Sequence, residues 1–69
     1  MSAPIVVHGL SPAGVRVVTI NDELAGLVAD DHGLIELLRK EGIYDAEHCL
    51  DDPQWIEWRG GRPHRYRAA

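Results

Sequence analysis

The 69-residue sequence predicts a small α+β domain, an antiparallel sheet with one central helix packed on one face. Three observations carry that expectation. The first thirty residues hold β-branched and aliphatic runs of strand length. The stretch DHGLIELLRKEGI, residues 31 to 43, has an apolar stripe and chemical signals at both ends. Near the C-terminus, Gln54 to Arg59 alternates as a strand does. The predicted sheet is therefore an N-terminal three-strand meander plus a C-terminal strand or hairpin.

Ile5-Val6-Val7-His8 and Val15-Arg16-Val17-Val18-Thr19-Ile20 are rich in β-branched residues, whose stiff side chains suit a pleated surface. Between them, Ser11-Pro12-Ala13-Gly14 suits a type I turn, with Ser, Pro and Gly at its first, second and fourth positions. A hairpin follows. In the second strand Val15 and Val17 are expected inward, because Arg16 marks its own face as the wetter one. After the polar break Asn21-Asp22-Glu23, Leu24 to Ala29 reads as a third strand. Its Leu and Ala would also suit a helix, but Gly26 and the helix-start signal at Asp30-Asp31 favour the strand.

In the helix, Asp31 or Asp30 can cover the free N–H groups of the first turn. Leu34, Ile35, Leu37 and Leu38 make one face, Glu36, Arg39 and Lys40 the other, and Glu36 and Lys40 have the spacing of a favourable pair. Gly42 supplies a residue able to take positive φ, and Ile43 is placed to touch Leu38 in a Schellman ending. Beyond the helix, Asp45 is positioned to cap a short turn that Asp51-Asp52-Pro53 stops. Gln54 to Arg59 then reads as a strand, although Asp52-Pro53 could also begin a helix. Gly60-Gly61 can turn the chain into a last strand at Arg62 to Tyr66.

A chain of this length is one domain, 1–69, with 62–69 as a basic tail able to be flexible, and it buries only about 60% of its unfolded surface. Cys49 is the single cysteine, so no internal disulfide can reinforce so small a core. That favours a homodimer over a monomer. No apolar run reaches the roughly 20 residues of a membrane span, and MSAPIVVHGL does not resemble a signal peptide, so a cytoplasmic location without membrane contact is expected.

The charge is unevenly divided. Before position 59 there are eleven acidic residues and three basic ones, a balance of −8, whereas residues 59 to 69 carry Arg59, Arg62, Arg65 and Arg67 and no acid. No enzyme motif accompanies this pattern. His8, His32, His48 and His64 show no metal-ligand spacing with one another or with Cys49, and Ser11 is explained by its turn. Asp30-Asp31 and Asp51-Asp52 stand where capping or turn carboxylates are wanted. The expectation is therefore a non-enzymatic protein with no catalytic residue, cofactor or metal.

Only the segment WIEWRGGRPHRYR has a functional flavour. Trp55, Trp58, Arg59, Arg62, Arg65, Tyr66 and Arg67 are the partner-binding candidates, because Trp, Tyr and Arg are the types enriched at interface hot spots. A protein-interaction module, homodimeric or with another protein partner, is the first reading. Nucleic-acid binding through the Arg-rich segment is the second, since interleaved aromatic and Arg residues can stack on bases and neutralise phosphates. The −8 body opposes it. The plainer reading of the same segment is that its Arg residues pair with the protein's own acids or with a neighbouring subunit, and that its Trp residues complete a small core that has no Phe.

The runs IVVHGL, DDHGLIELLR and DDPQWIEWRGG resemble a group of short hypothetical proteins from actinobacteria. The resemblance spans nearly the whole chain and implies a free-standing small cytoplasmic protein. It implies no functional residue.

Overall fold

The computed structural model describes residues 3 to 67, in the order β1 (Ile5–Val7), β2 (Arg16–Ile20), β3 (Glu23–Val28), α1 (Asp31–Lys40), α2 (Ala46–Cys49) and β4 (Ile56–Trp58). The strands form one sheet in the order β3-β2-β1-β4, with α1 against one face.

The meander is set by its two turns. Gly14 N donates to Ser11 O at 3.1 Å, and the Ser11 hydroxyl bonds the Val15 backbone, so the predicted turn joins β1 to β2. At the second turn Asn21 and Asp22 both have positive φ, 53° and 69°. This is the two-residue geometry whose twist matches antiparallel strands, and Asn and Asp tolerate it. The β2–β3 ladder shifts register between Val18 and Thr19, where β3 carries an extra residue. Gly26 lies directly beneath the helix: a Cβ there would meet Leu37 Cδ1 at 3.4 Å.

Both ends of α1 are made as the sequence predicts. Asp30 is the N-cap, its Oδ1 accepting from Gly33 N at 2.7 Å. At the other end Gly42 has φ 91°, Gly42 N donates to Arg39 O, and Ile43 N donates to Leu38 O at 2.9 Å. These two bonds are the Schellman pair. Regular helix stops at Lys40, with Glu41 as the C-cap and Gly42 and Ile43 in the ending the sequence predicts. Leu34 and Leu38 are fully buried, with Ile35 and Leu37 packed at the margin.

Four expectations need correction. β4 runs parallel to β1, so the sheet is mixed. Two reversals bring β3 into the direction of β1, and α1 then returns the chain across the sheet, so the strand after it must run the same way again. Second, Gly60-Gly61 turn the chain without making a hairpin. Residues 62 to 66 form no strand, and only an isolated bridge joins Arg67 to Ser11. Third, β2 is turned over relative to the prediction. Arg16 and Val18 face the core, while Val17 is 38% exposed. Fourth, Asp45 precedes α2 without capping it, its carboxylate lying 3.0 Å from His48 Nδ1 instead.

The core joins Ile5, Val7 and Val18 of the sheet to Leu34 and Leu38 of α1, with Ala46, Leu50, Ile56 and Tyr66 closing its end. Among the described residues no helix is long and apolar enough to cross a membrane.

Candidate functional site

The C-terminal segment is held by one side chain. Arg16 is fully buried, and its guanidinium has five N–H groups in a planar fork. All five are used on main-chain carbonyls. Nε donates to His8 O at 2.5 Å, one terminal nitrogen to Arg62 O (3.2 Å) and Arg65 O (2.7 Å), and the other to Val7 O (3.3 Å) and Arg59 O (2.5 Å). Among the described residues no carboxylate pairs with it. Its Cζ lies 5.4 Å from the Trp58 ring centroid, which adds a cation–π contact. Burial pulls its pKa below the ordinary value, and the nearby Tyr66 opposes that shift.

Trp58 is the hub of the segment. Its indole Nε1 donates to Leu50 O at 2.9 Å, and its ring meets Tyr66 edge-on and His64 at a tilt, with centroids 6.1 and 5.3 Å away. Tyr66 is buried, and its hydroxyl donates to Asp31 Oδ1 at 2.5 Å. Burial first, and then Asp31, pushes its pKa far above the usual phenol range, so it is a neutral donor. His64 takes a positive φ of 67° and lies between two carboxylates, with Nε2 2.7 Å from Asp51 Oδ1 and Nδ1 2.5 Å from Asp31 Oδ2. Asp31, at the start of α1, therefore ties the helix to both His64 and Tyr66.

This arrangement clamps the start of α1 and Asp51 to the C-terminal segment, with both ring nitrogens of His64 engaged by carboxylates. Cys49 is buried, and burial raises its thiol pKa, with Asp45 and Asp52 adding to the shift, so it is a poor nucleophile. Among the described residues no group of three or more His, Cys, Asp or Glu side chains is placed to hold a metal ion.

The clamp predicts a pH dependence. The hydrogen bond to Asp51, and then that to Asp31, raises the pKa of His64 above its ordinary value. A raised pKa in the folded state stabilises the protein fully below the unfolded value of about 6.5, and the contribution is lost as pH rises through the folded value. His64→Asn tolerates the positive φ but cannot carry the charge. The wild type should therefore melt above this variant at about pH 5.5, with the difference shrinking toward about pH 9. A difference that does not change with pH would show that His64 is not protonated in the clamp.

Two surfaces are left open. On the outer sheet face Val17 opposes Leu27 and Thr19 opposes Leu24, and Leu24 and Leu27 are 73% and 63% exposed. On the other side of the molecule a groove of about 570 Å³ runs along β4. It is lined by Leu50, Asp51 and Pro53, by all three residues of β4, and by Ala3 and Pro63.

The seven partner-binding candidates do not form one surface. Trp55 is 47% exposed. Trp58 and Tyr66 face inward, and Arg59 is exposed and paired with Glu57. Arg62, Arg65 and Arg67 are exposed, and among the described residues none makes an ion pair. Sequence reasoning missed Arg16, Asp31, Asp51 and His64 as the groups that organise the segment. The alternation Arg16, Val18, Ile20 was the one signal pointing to Arg16. No family model, curated protein or solved structure matches the chain.

Proposed function

We propose that the protein is a small interaction module that self-associates through the outer face and free edge of β3. The supporting observation is the set of Val17, Leu24 and Leu27, exposed side by side on a sheet face beside an edge strand. Isolated exposed aliphatic residues are ordinary, but a contiguous group is not. An unpaired edge offers main-chain groups to a second strand, and β3 carries neither the Lys nor the Pro that commonly blocks such pairing. A second copy fits this face because its residues on β2 and β3, Val17, Thr19, Leu24 and Leu27, carry no charge, so an isologous contact brings few like charges together. A standard interface covers about 800 Å² per partner, roughly a sixth of the 4569 Å² of surface.

Sedimentation at micromolar concentration tests the reading. The wild type should be a dimer, and Leu27→Lys should shift it to monomer without lowering the stability of the fold, since the residue is largely exposed. A monomeric wild type would overturn it. A second reading, nucleic-acid binding, is favoured by the three exposed Arg side chains of the C-terminal segment, Arg62, Arg65 and Arg67. The same runs with a single-stranded oligonucleotide at about 50 mM salt, where phosphate contacts are strong, decide it: no co-sedimentation removes that reading.

A further inference from the structure

We propose that the groove along β4 is a second docking site, one that takes an extended peptide of alternating apolar and basic residues as an added strand. It uses the opposite edge of the sheet from the self-association surface and does not depend on it.

The main chain supplies the first part of the argument. Ile5 N donates to Trp55 O and Arg59 N donates to Val7 O, so residues 55, 57 and 59 direct their backbone groups toward β1. Residues 56 and 58 then direct theirs away from the sheet. Ile56 N is used by Asp52 O, at 3.0 Å. Among the described residues, what is left on the open side is Ile56 C=O, Trp58 N–H and Trp58 C=O, an acceptor, donor, acceptor row that an extended strand can match.

The walls supply the second. Leu50, Pro53 and Pro63 are apolar groups lining the same groove, and a volume of about 570 Å³ falls in the ordinary range for a ligand site of roughly 300–1,000 Å³. The groove is also formed in advance. Trp58 is fixed by its indole bond to Leu50 O, and Asp51 is fixed by His64. A peptide entering it has little of the protein to order.

Charge selects the occupant. Among the described residues no basic side chain lines the groove, and two carboxylates do. Glu57 is already paired with Arg59. Asp51 gives one oxygen to His64 and is 78% exposed, which leaves its other oxygen for a Lys or Arg of the incoming strand. An acidic strand would meet two carboxylates.

The test is an amide-resolved NMR titration of the intact protein with acetyl-Val-Lys-Val-Lys-Val-amide. Two control peptides accompany it, one with Glu in place of Lys and one N-methylated at the central residue. The first peptide should move the Trp58 main-chain and indole N–H signals. The Glu peptide and the N-methylated peptide should bind more weakly or not at all. Asp51→Asn should weaken the Lys peptide by up to about fivefold, the scale of an exposed ion pair, while Leu27→Lys leaves it unchanged. No shift at Trp58 with millimolar peptide, equal binding of the N-methylated or the Glu peptide, or shifts centred on β3 would each overturn the proposal.

Discussion

Arg16→Met should cost about 3 to 5 kcal/mol and release the C-terminal segment from the sheet. Methionine approximates the length of the arginine stem, so the packing loss is small and what is removed is the guanidinium. Five carbonyls lose the guanidinium at once; Val7 O keeps Arg59 N and Arg62 O keeps Arg65 N, so the carbonyls of His8, Arg59 and Arg65 are the ones left without a donor among the described residues. A buried acceptor left unpaired costs about 1 to 3 kcal/mol, and solvent entering as the segment lifts keeps the total near the cost of breaking a buried charged network. Against a stability at the low end of about 5 to 15 kcal/mol, that is most of the margin. Arg16→Lys keeps the charge but has three donors on a mobile head and cannot span the five acceptors, so it should fall between. Chemical denaturation measures the loss, and trypsin gives the location. Cleavage after Arg59 and Arg65 should appear in Arg16→Met under conditions where the wild type is intact. An unchanged denaturation midpoint would mean that the segment holds by its aromatic contacts alone.

What could be read in the chain divides by distance along the sequence. The helix was legible because its end signals are local. Asp30 acts on Gly33, three residues away, and Gly42 and Ile43 act on Arg39 and Leu38. The first turn was legible for the same reason. The face of β2 was misread because Arg16 was treated as a solvated charge. Its acceptors on Arg59, Arg62 and Arg65 lie more than forty positions away, and no local pattern announces them. The direction of β4 was also non-local, since it is set by the crossover through α1.

The candidate site followed the same division. Counting Trp, Tyr and Arg marked the right segment, but composition does not say which side chains a segment turns inward. Of the two readings of these aromatic residues, partner surface and core completion, Tyr66 and Trp58 follow the second, Tyr66 buried in the core and Trp58 packed against it. That turns attention from the aromatic residues to the two sheet edges. His64 could not be singled out from four scattered histidines, because Asp31 and Asp51 reach it from elements 33 and 13 residues away.

Leu38→Ala should lower stability by about 2 to 5 kcal/mol, the usual cost of removing a buried leucine side chain and leaving part of its space empty. Three features place it in the upper half of that range. Leu38 is fully buried at the centre of the cluster formed by α1 and the sheet. Its carbonyl accepts from Ile43 N and Glu41 N, so its neighbourhood is fixed by the helix ending and cannot collapse freely into the cavity. The helix itself, at ten residues, is too short to stand without its buried face. For a domain of this size each kcal/mol shifts the melting temperature by about 4 to 8 °C, so a loss in the upper half of the range lowers it by at least about 14 °C. Glu36→Ala, on the exposed face of the same helix, should stay within about 0.5 kcal/mol of the wild type. A Leu38→Ala protein that melts within a degree or two of the wild type would show that the apolar stripe of α1 does not hold the sheet. In that case the Arg16 network, with the clamp of His64 and Tyr66 on Asp31, would have to supply the attachment of the helix.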